Sequence, residues 1–494
     1  GRDGLNYIIY FIDIWAQKPV YQLLMLRRTP MAPVLYGGSL TLWGSVVTEI
    51  LSAVFYCISI ILLYRLASHF GTKTGMAVAL LVNFYPAYGS LYHVVASEPP
   101  ATFFLIVICV LFFDAIDTPR IYKFVLLGVG CVLATLSRPD SVVLLGLAVG
   151  PFLFATSTLR DKLRFSIIFL TVAISLLLCW STYNYLRYDD FTLARGEKSE
   201  IPLERAFTFA HIVKAENGPA SADLAKLVST QLLDKEPYLS YHINSEIFFS
   251  QGTQRMFSDL IPLSDRYYGW DSDYNRLREV GIEAIKAHPV AFFWGYMKSC
   301  VGMLIYNPTW PVATRQNLNH PVVLKNAQNL PIPTEGELIP RSYTWWNSTS
   351  PDERAQPLPN SIELRFINPE YQIQVDEFTR KLIPYQAMLP NRDGTTWIAD
   401  FLNQLTLFYP PPIFWLTIGL VGLFYKPLRY KYMLFLIIGI SAIMIFYPIL
   451  GIGAQFMMRT RFDPYIILFG SSGISEILGS LYSWQKKIIL EHSA

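Results

Sequence analysis

Long apolar stretches separated by short polar connections occupy both ends of this 494-residue chain. A membrane-spanning helix needs roughly 20 apolar residues, and nine of the stretches reach or approach that length. They cover residues 45–66, 75–92, 99–115, 122–136, 140–157, 165–186, 408–424, 430–450 and 462–481. The pattern predicts six spanning helices before a long polar region and three after it.

The basic residues of the connections indicate which way these helices run. They cluster in residues 65–73, 158–164 and 426–431 and at Lys486 and Lys487 after the last span. By the positive-inside rule these segments are cytoplasmic. Alternation then places residues 1–44, 93–98, 137–140, 187–407 and 452–461 on the extracytoplasmic side. We call the end of the bundle with the basic connections the basic face and the opposite end the outer face.

Composition agrees with this prediction. The chain is 52% hydrophobic and 16% charged, which is too apolar for a soluble protein of this length. The predicted fold class is an all-α polytopic membrane protein. The net charge of +3 does not indicate nucleic acid, because the basic residues are spread over the connections. Only Cys300 of five cysteines lies outside the predicted spans, so no disulfide framework is expected.

The first 44 residues are predicted to lie on the outer face. We expect a further spanning segment upstream of Gly1, which would bring them there and give at least ten spans.

The polar region 187–407 is predicted to form an extracytoplasmic, mainly helical domain. Its piece 289–306 is apolar enough to resemble a span, but one crossing there would invert a set of basic connections. His288 and Lys298 also fit a helix at an interface better than one in lipid. The predicted regions are an outer loop with an amphipathic helix (1–44), a six-span module (45–186), the external domain with the non-spanning helix 289–306 (187–407), and three spans with a tail (408–494).

Asp3 precedes the amphipathic stretch Leu5–Leu26 at the predicted outer face. A carboxylate there could act as a general base, taking a proton from an acceptor while a lipid-bound donor approaches from the bilayer. The alternative interpretation is a solvated acid near a chain end. The nearest rival, Asp13, lies between Ile12 and Ile14 and is interpreted as an interface residue.

Two charged motifs stand where a predicted span meets the outer face. In Ser137-Arg138-Pro139-Asp140, the arginine offers a planar fork suited to a phosphate, or it forms a salt bridge with Asp140 at a helix start. Glu98, before Pro99 and Pro100, is equally open, because acids are common at helix N-termini. Arg459 and Arg461 precede the last span and could neutralise a lipid phosphate or extend to the interface.

The sequence lacks motifs for several other chemistries. His93, His211, His242, His288 and His320 have no metal-ligand spacing, and HExxH, paired-cysteine, phosphate-loop and GxSxG motifs do not occur. The sequence therefore gives no support to a metallohydrolase, a nucleotidase or a serine hydrolase. It indicates no cofactor, although a divalent metal stays open.

Six short motifs, in order along the chain, resemble those of GT-C glycosyltransferases that use polyprenyl-phosphate sugars. That group includes protein O-mannosyltransferases, the aminoarabinose transferase of lipid A and lipopolysaccharide-core transferases. The similarity covers most of residues 1–190 and 400–480. Gly4 departs from the pattern, because many relatives carry a second acid there. The motifs are Asp3-Gly4-Leu5-Asn6-Tyr7, Arg28-Thr29-Pro30-Met31-Ala32-Pro33-Val34-Leu35, Ser97-Glu98-Pro99, Ser137-Arg138-Pro139, Ala284-Ile285-Lys286-Ala287-His288-Pro289 and Arg461-Phe462-Asp463-Pro464.

The resemblance implies an inverting transfer of a sugar from a polyprenyl phosphate to a glycolipid, polysaccharide or protein acceptor. Asp3 would be the general base, and Arg138 and Arg461 would stabilise the phosphate leaving group. Arg28, Glu98 and Asp140 are further candidates for the substrate site. Membrane lipids would be partners, whereas nucleic acid and nucleotides would not be needed.

Two other function classes fit parts of the sequence. A transporter or flippase is suggested by the helix count and by Asn83-Phe84-Tyr85-Pro86, which could break a helix inside the membrane. Against it, the ionisable residues gather at outer helix ends, and no inverted repeat is evident. A scaffold protein acting through its external domain is the third hypothesis.

Overall fold

A computed structural model describes residues 2–16, 26, 28–92, 95–195, 200–234, 238, 242–268, 274–307, 324–325, 331–332, 355–357, 364–366, 369–388, 401, 404–425, 429–449 and 459–492. Helices dominate these residues, and several are long and apolar enough to cross a membrane. The chain is an all-α polytopic membrane protein, as the sequence predicts.

Before the polar region, the described residues form nine α-helices. They are α1 (Arg2–Ile14), α2 (Met31–Trp43), α3 (Ser45–Ser68), α4 (Thr72–Asn83), α5 (Pro86–Leu91), α6 (Glu98–Asp117), α7 (Ile121–Ser137), α8 (Gly150–Phe154) and α9 (Leu159–Tyr188). A 3₁₀ helix, Pro139–Val149, joins α7 to α8.

The rest of the described chain is also mainly helical. Within the polar region lie α10 (Ile201–Glu204), a π-helical turn (Arg205–Phe209), a 3₁₀ turn (Ala215–Asn217), α11 (Pro219–Gln231), α12 (Ser245–Ser250), α13 (Gln254–Tyr268), α14 (Asn275–Ala287), α15 (Pro289–Ile305) and α16 (Pro369–Met388). Two short antiparallel pairs, β1 (Leu324–Lys325) with β2 (Pro331–Ile332) and β3 (Ala355–Pro357) with β4 (Leu364–Phe366), accompany them. The C-terminal helices are α17 (Pro412–Tyr425), α18 (Arg429–Ile449) and α19 (Asp463–His492).

Five helices in the described part of the chain have the length and hydropathy of a membrane span. They are Ile50–Ser68, Glu98–Asp117, Leu159–Tyr188, Gln404–Phe424 and Asp463–Gln485. The elements Ile121–Ser137, Pro139–Phe154 and Pro289–Ile305 are apolar but shorter. Of these, α7 packs against both α6 and α9.

The predicted span 75–92 is two helices. Pro86 lacks an N–H, so the α4 ladder cannot continue through it, and α5 begins with that proline in its first turn. The carbonyls freed by the break accept hydrogen bonds from tyrosine hydroxyls. Tyr56 donates to Asn83 O at 2.9 Å, and Tyr409 donates to Leu81 O at 3.1 Å. The break predicted at 83–86 is therefore closed by side chains.

Glycines allow α17 and α19 to approach closely. A Cβ at Gly473 would lie 2.5 Å from Ile418 O, and one at Gly470 would lie 2.7 Å from Trp415 O. Backbone contact of this kind is typical of membrane helix pairs, where association relies on packing. The two packed helices therefore fix the position of the turn just before α19, which contains Arg461.

The described helices between residues 201 and 287 share an apolar core of their own. Leu203, Phe207, Leu224, Phe248 and Leu260 are among its buried members. Glu283 of α14 accepts bonds from the backbone N–H groups of Ala220 and Ser221 at 3.0 and 2.7 Å, which satisfies the first turn of α11. Partial burial raises the pKa of Glu283, but the bonds from Ser221 and Ala220 outweigh it and lower the pKa overall.

Candidate functional site

Four charged side chains meet at the outer face of the bundle. Arg138 contacts the Glu98 carboxylate through Nη1, and its Nε lies 3.5 Å from Asp140 Oδ2. Arg461 holds the same Asp140 with both terminal nitrogens, one of them 3.3 Å from Oδ1. All four of these predicted site residues therefore lie in one network, which we call the outer charge cluster (Glu98, Arg138, Asp140 and Arg461).

Local sequence explains how Arg138 and Glu98 reach the cluster. Pro139 disfavours helical geometry in the residue before it, and Arg138 is extended (φ −145°, ψ 124°), which ends α7 at the bundle surface. Glu98 is the first residue of α6, followed by Pro99 and Pro100, so its carboxylate lies at a helix N-terminus. The salt-bridge and helix-start interpretations of Arg138 and Glu98 are thus both realised in this structure.

The cluster is largely withdrawn from the surface. The side chains of Arg138, Glu98 and Asp140 are 14%, 19% and 12% exposed, and that of Arg461 is 2% exposed. Arg461 also lies 4.6 Å above the ring of Phe462, which gives its guanidinium a second favourable contact. It therefore does not extend to the interface as a snorkelling side chain would. Charges held in so little water are costly unless paired, and the pairs described here supply that compensation.

Arg28 joins the cluster through Tyr7. Its guanidinium lies 4.8 Å above the Tyr7 ring, and the Tyr7 hydroxyl accepts the backbone N–H of Ser97 at 3.1 Å. Ser97 Oγ in turn accepts a bond from Arg138 Nη1 at 3.3 Å. Arg28 and α1 are thus connected to the turn that carries Glu98.

Asp3 belongs to the first turn of α1, one helical turn before Tyr7. Its α1 backbone packs on α2, where a Cβ at Gly37 would meet the Phe11 ring, so the two helices touch closely. For Asp3 the structure describes the helical backbone. The role of Asp3 accordingly stays a prediction.

Asp13 differs from its interpretation as an interface residue, because it is completely buried. Its backbone carbonyl accepts a bond from Arg187 of α9 at 3.3 Å. The alternation of Ile12, Asp13 and Ile14 did not reveal this burial, since it depends on contact with Arg187, 174 residues away in the sequence. Asp13 is part of the α1–α9 packing.

A second buried pair lies beside the cluster and was missed by the sequence reasoning. Arg459 bonds Asp463 at 2.9 Å through Nε and at 3.2 Å through Nη2, and Tyr85 donates to Asp463 at 2.9 Å. Arg459 Nη1 also donates to the carbonyls of Met303 and, at 2.7 Å, Tyr306. The i, i+4 spacing of Arg459 and Asp463 was the available signal.

This second pair ties three parts of the chain together. Met303 and Tyr306 end α15, Tyr85 sits in the α4–α5 break, and Asp463 begins α19. Because all three guanidinium nitrogens of Arg459 donate to protein groups, this side chain fixes the end of α15 to the bundle. Neither snorkelling nor lipid-phosphate binding is needed to explain it.

Among the residues that the structure describes, no group of three or more His, Cys, Asp or Glu side chains is arranged to hold a metal ion. The carboxylates of the outer charge cluster face arginines.

Comparison with known families identifies the first part of the chain. Residues 27–183 match the family model described as dolichyl-phosphate-mannose-protein mannosyltransferase. This segment is a GT-C-type glycosyltransferase domain. The match confirms the family resemblance predicted from the short motifs, and it includes Arg28, Glu98, Arg138 and Asp140. No curated protein and no solved structure matches the chain significantly.

The domain and the apolar helices together establish the general character of the molecule. It is a multi-pass membrane protein that carries a GT-C-type glycosyltransferase domain in residues 27–183. The matched segment ends at residue 183 in α9, so the helices of the polar region and α19 lie outside it.

Proposed function

We propose that this protein transfers a sugar from a polyprenyl phosphate to an acceptor at the outer face, with inversion at the anomeric carbon. The observation that carries this proposal is the outer charge cluster. It places two arginines at the end of a bundle whose matched family uses lipid-linked donors. The acceptor class is a glycolipid, a polysaccharide or a protein.

In this mechanism Asp3 takes the proton from the acceptor hydroxyl or amine as that group attacks the anomeric carbon. The bond from that carbon to the phosphate oxygen breaks, and its electron pair leaves with the lipid phosphate. Arg138 and Arg461 stabilise the phosphate as its charge grows. The phosphate monoester is a stable anion, so the leaving group needs no proton.

Arg138 has to exchange partners for this to happen. Its Nη1 is held by Glu98 and Ser97, and its Nε makes no hydrogen bond with any described residue. An arriving phosphate would compete with Glu98 for the guanidinium, while Asp140 keeps Arg461 in place. Glu98 is therefore proposed as a competitor that sets phosphate affinity.

The proposal is tested by incubating the purified protein with a panel of labelled polyprenyl-phosphate sugars and a membrane extract as acceptor. We expect one donor to be consumed, with release of the free polyprenyl phosphate. The label should appear on an acceptor, and the transferred sugar should have the anomeric configuration opposite to that in the donor. Consumption of no donor, or consumption unaffected by Arg138→Ala, would contradict it.

The extracytoplasmic location of the site is tested by cysteine labelling in a cysteine-free variant. Thr230→Cys and Asp189→Cys, both at exposed positions, should react with an impermeant thiol reagent in intact cells. Arg160→Cys, exposed at the basic face, should react only after permeabilisation. The opposite labelling would reverse the assigned sidedness.

Transport remains the alternative function, and the structure offers it one feature, the helix break at 83–86. The carbonyls at that break are bonded to Tyr56 and Tyr409, which does not favour an ion site. Uptake of a lipid-linked sugar into proteoliposomes without any sugar transfer would favour this alternative.

A further inference from the structure

An apolar groove runs along α18 from the basic face toward the middle of the bundle. Its volume is about 780 Å³, within the range of small-molecule sites. Leu153 and Phe154 of α8 form one wall, and Phe435, Gly439 and Ile443 of α18 form the other, with Arg429 at the end. Arg429 and Ile443 are fourteen residues apart, so the groove is about 21 Å long at a rise of about 1.5 Å per residue.

The groove opens sideways toward the bilayer. Leu153, Phe435 and Ile443 are each about half exposed, as expected of residues that face lipid. A Cβ at Gly439 would meet nothing within 4 Å, so this glycine leaves space that no atom of the described residues fills. An occupant that enters from the membrane and matches these walls is a single extended hydrocarbon chain.

The mouth of the groove is positively charged. Arg429 donates through Nη2 to Ile116 O at 2.8 Å and lies 3.3 Å from Asp117, while its buried Nε has no hydrogen-bond partner in the described chain. Lys162 reaches Phe152 O, beside the groove wall, at 3.3 Å. The other charged groups at this end are Arg160, Asp161 and Arg164 of α9 and Lys431 of α18, which is paired with Glu476. Asp117 is shared with His69 and Tyr430. Cations therefore outnumber carboxylates at this end.

From this combination we propose that the groove binds an anionic glycerophospholipid of the basic-face leaflet. One acyl chain lies along α18, and the phosphate contacts Arg429 and Lys162. Basic groups at the end of an apolar groove between membrane helices are the arrangement that recognises such headgroups. The proposed donor would not fit here, because its phosphate belongs at the outer charge cluster, at the opposite end of the bundle.

The test titrates the detergent-solubilised full chain with short-chain phosphatidylglycerol and with phosphatidylcholine of identical chains, and follows the thermal unfolding midpoint. We expect phosphatidylglycerol to raise the midpoint at lower concentration than phosphatidylcholine, and glycerophosphoglycerol without chains to have no effect. Arg429→Gln and Lys162→Gln should each weaken the phosphatidylglycerol response about fivefold, as loss of one basic residue near a lipid headgroup predicts.

Gly439→Leu keeps the experiment decisive if Arg429→Gln folds poorly. It should fill the groove without a clash and abolish the response to both lipids, whereas Gly479→Leu, at another open glycine position, should leave it unchanged. Equal responses to the two lipids, or an unchanged response in Gly439→Leu, would overturn the proposal. So would a response to polyprenyl phosphate alone, which would assign the groove to the donor.

Discussion

The two faces of the bundle carry ion pairs of different kinds. At the basic face, Arg65 pairs with Asp114 at 2.5 Å while remaining 59% exposed, and Arg429 pairs with Asp117 while remaining 34% exposed. At the outer face, no member of the outer charge cluster exceeds 19%. Exposed pairs contribute about 0–1 kcal/mol, whereas buried pairs lose in desolvation much of what they gain.

This difference indicates where the protein tolerates an energetic cost. Surface pairs at the basic face are ordinary connections between helix ends, and membrane orientation alone accounts for their basic residues. Buried arginines at the outer face contribute little to stability, because desolvation offsets their pairing. Desolvated charges gathered in one place are typical of functional sites. The comparison supports placing the chemistry at the outer face.

The largest effect expected is on turnover by Asp3. A general base contributes roughly 10²–10⁴-fold to rate, so Asp3→Asn should reduce turnover at least about 100-fold while donor binding changes little. Asp189→Asn is the matched control, since Asp189 is exposed and left-handed (φ 56°), a conformation that asparagine also accepts. Single-turnover assays measure the step.

Normal turnover by Asp3→Asn would remove the proposed base and direct attention to Glu98. Asp13→Asn is not a neutral control, because Asp13 is buried in the α1–α9 packing.

A large effect on stability is expected at the one buried pair of the basic half among the described residues. Lys431 is fully buried and bonds both Glu476 and, at 2.8 Å, Gly422 O. Lys431→Met should cost about 3–5 kcal/mol because it leaves Glu476 unpaired, and adding Glu476→Met should recover most of that. Reversible unfolding in mixed micelles measures both variants.

Arg65→Ala provides the exposed comparison and should cost less than about 1 kcal/mol. Equal losses for Lys431→Met and Arg65→Ala would mean that burial does not separate the two kinds of pair.

The smallest effect expected concerns His69, which lies outside the spans at the end of α3. Burial lowers the pKa of His69, and the nearby Asp117 opposes this without cancelling it. As the pH falls below about 6.5, His69 is therefore protonated in the unfolded chain before it is protonated in the folded protein. The free energy of unfolding should decrease from about pH 6.5 down to the lower pKa of the folded state.

The loss should not exceed about 1.4 kcal/mol per pH unit, and His69→Gln should flatten the profile between pH 7 and 5.5. Unfolding midpoints at several pH values measure it. Identical slopes for the two proteins would show that His69 does not titrate differently on folding.

The sequence predicted where the residues of the outer charge cluster lie, but not which of them contact each other. Proline after Arg138 and after Glu98 marked both as helix-end residues, and hydropathy with the positive-inside rule placed them at one face. The ion pair between Arg461 and Asp140, 321 residues away, depends on helix packing that the sequence does not show. The buried pair of Arg459 and Asp463 was not predicted for the same reason, because its partners Tyr85 and Met303 come from distant parts of the sequence.

Helix continuity was also only partly predictable. Hydropathy predicted one span over 75–92, because an apolar run has the same hydropathy whether or not Pro86 interrupts its helical hydrogen bonds. The motif Asn83-Phe84-Tyr85-Pro86 was the local signal for the break, and the tyrosines that close it come from α3 and from Tyr409.

Glu98 is proposed to compete with the phosphate for Arg138, and a substitution at Glu98 tests this. Glu98→Gln removes one of the two carboxylates beside Arg138, so this variant should bind a polyprenyl phosphate more tightly than the wild type. Weaker binding by Glu98→Gln would mean that Glu98 positions Arg138 rather than competing for it.

The most direct test of the central claim is the binding of a sugar-free, short-chain polyprenyl phosphate to the purified protein. Wild type and Arg65→Ala should bind equally. Arg138→Ala should bind at least about tenfold more weakly, as loss of a charge-assisted hydrogen bond predicts, with Arg138→Lys between them because a point charge lacks the fork. A folded Arg138→Ala that binds like the wild type, or a loss of binding in Arg65→Ala instead, would contradict the assignment of the phosphate site to the outer face.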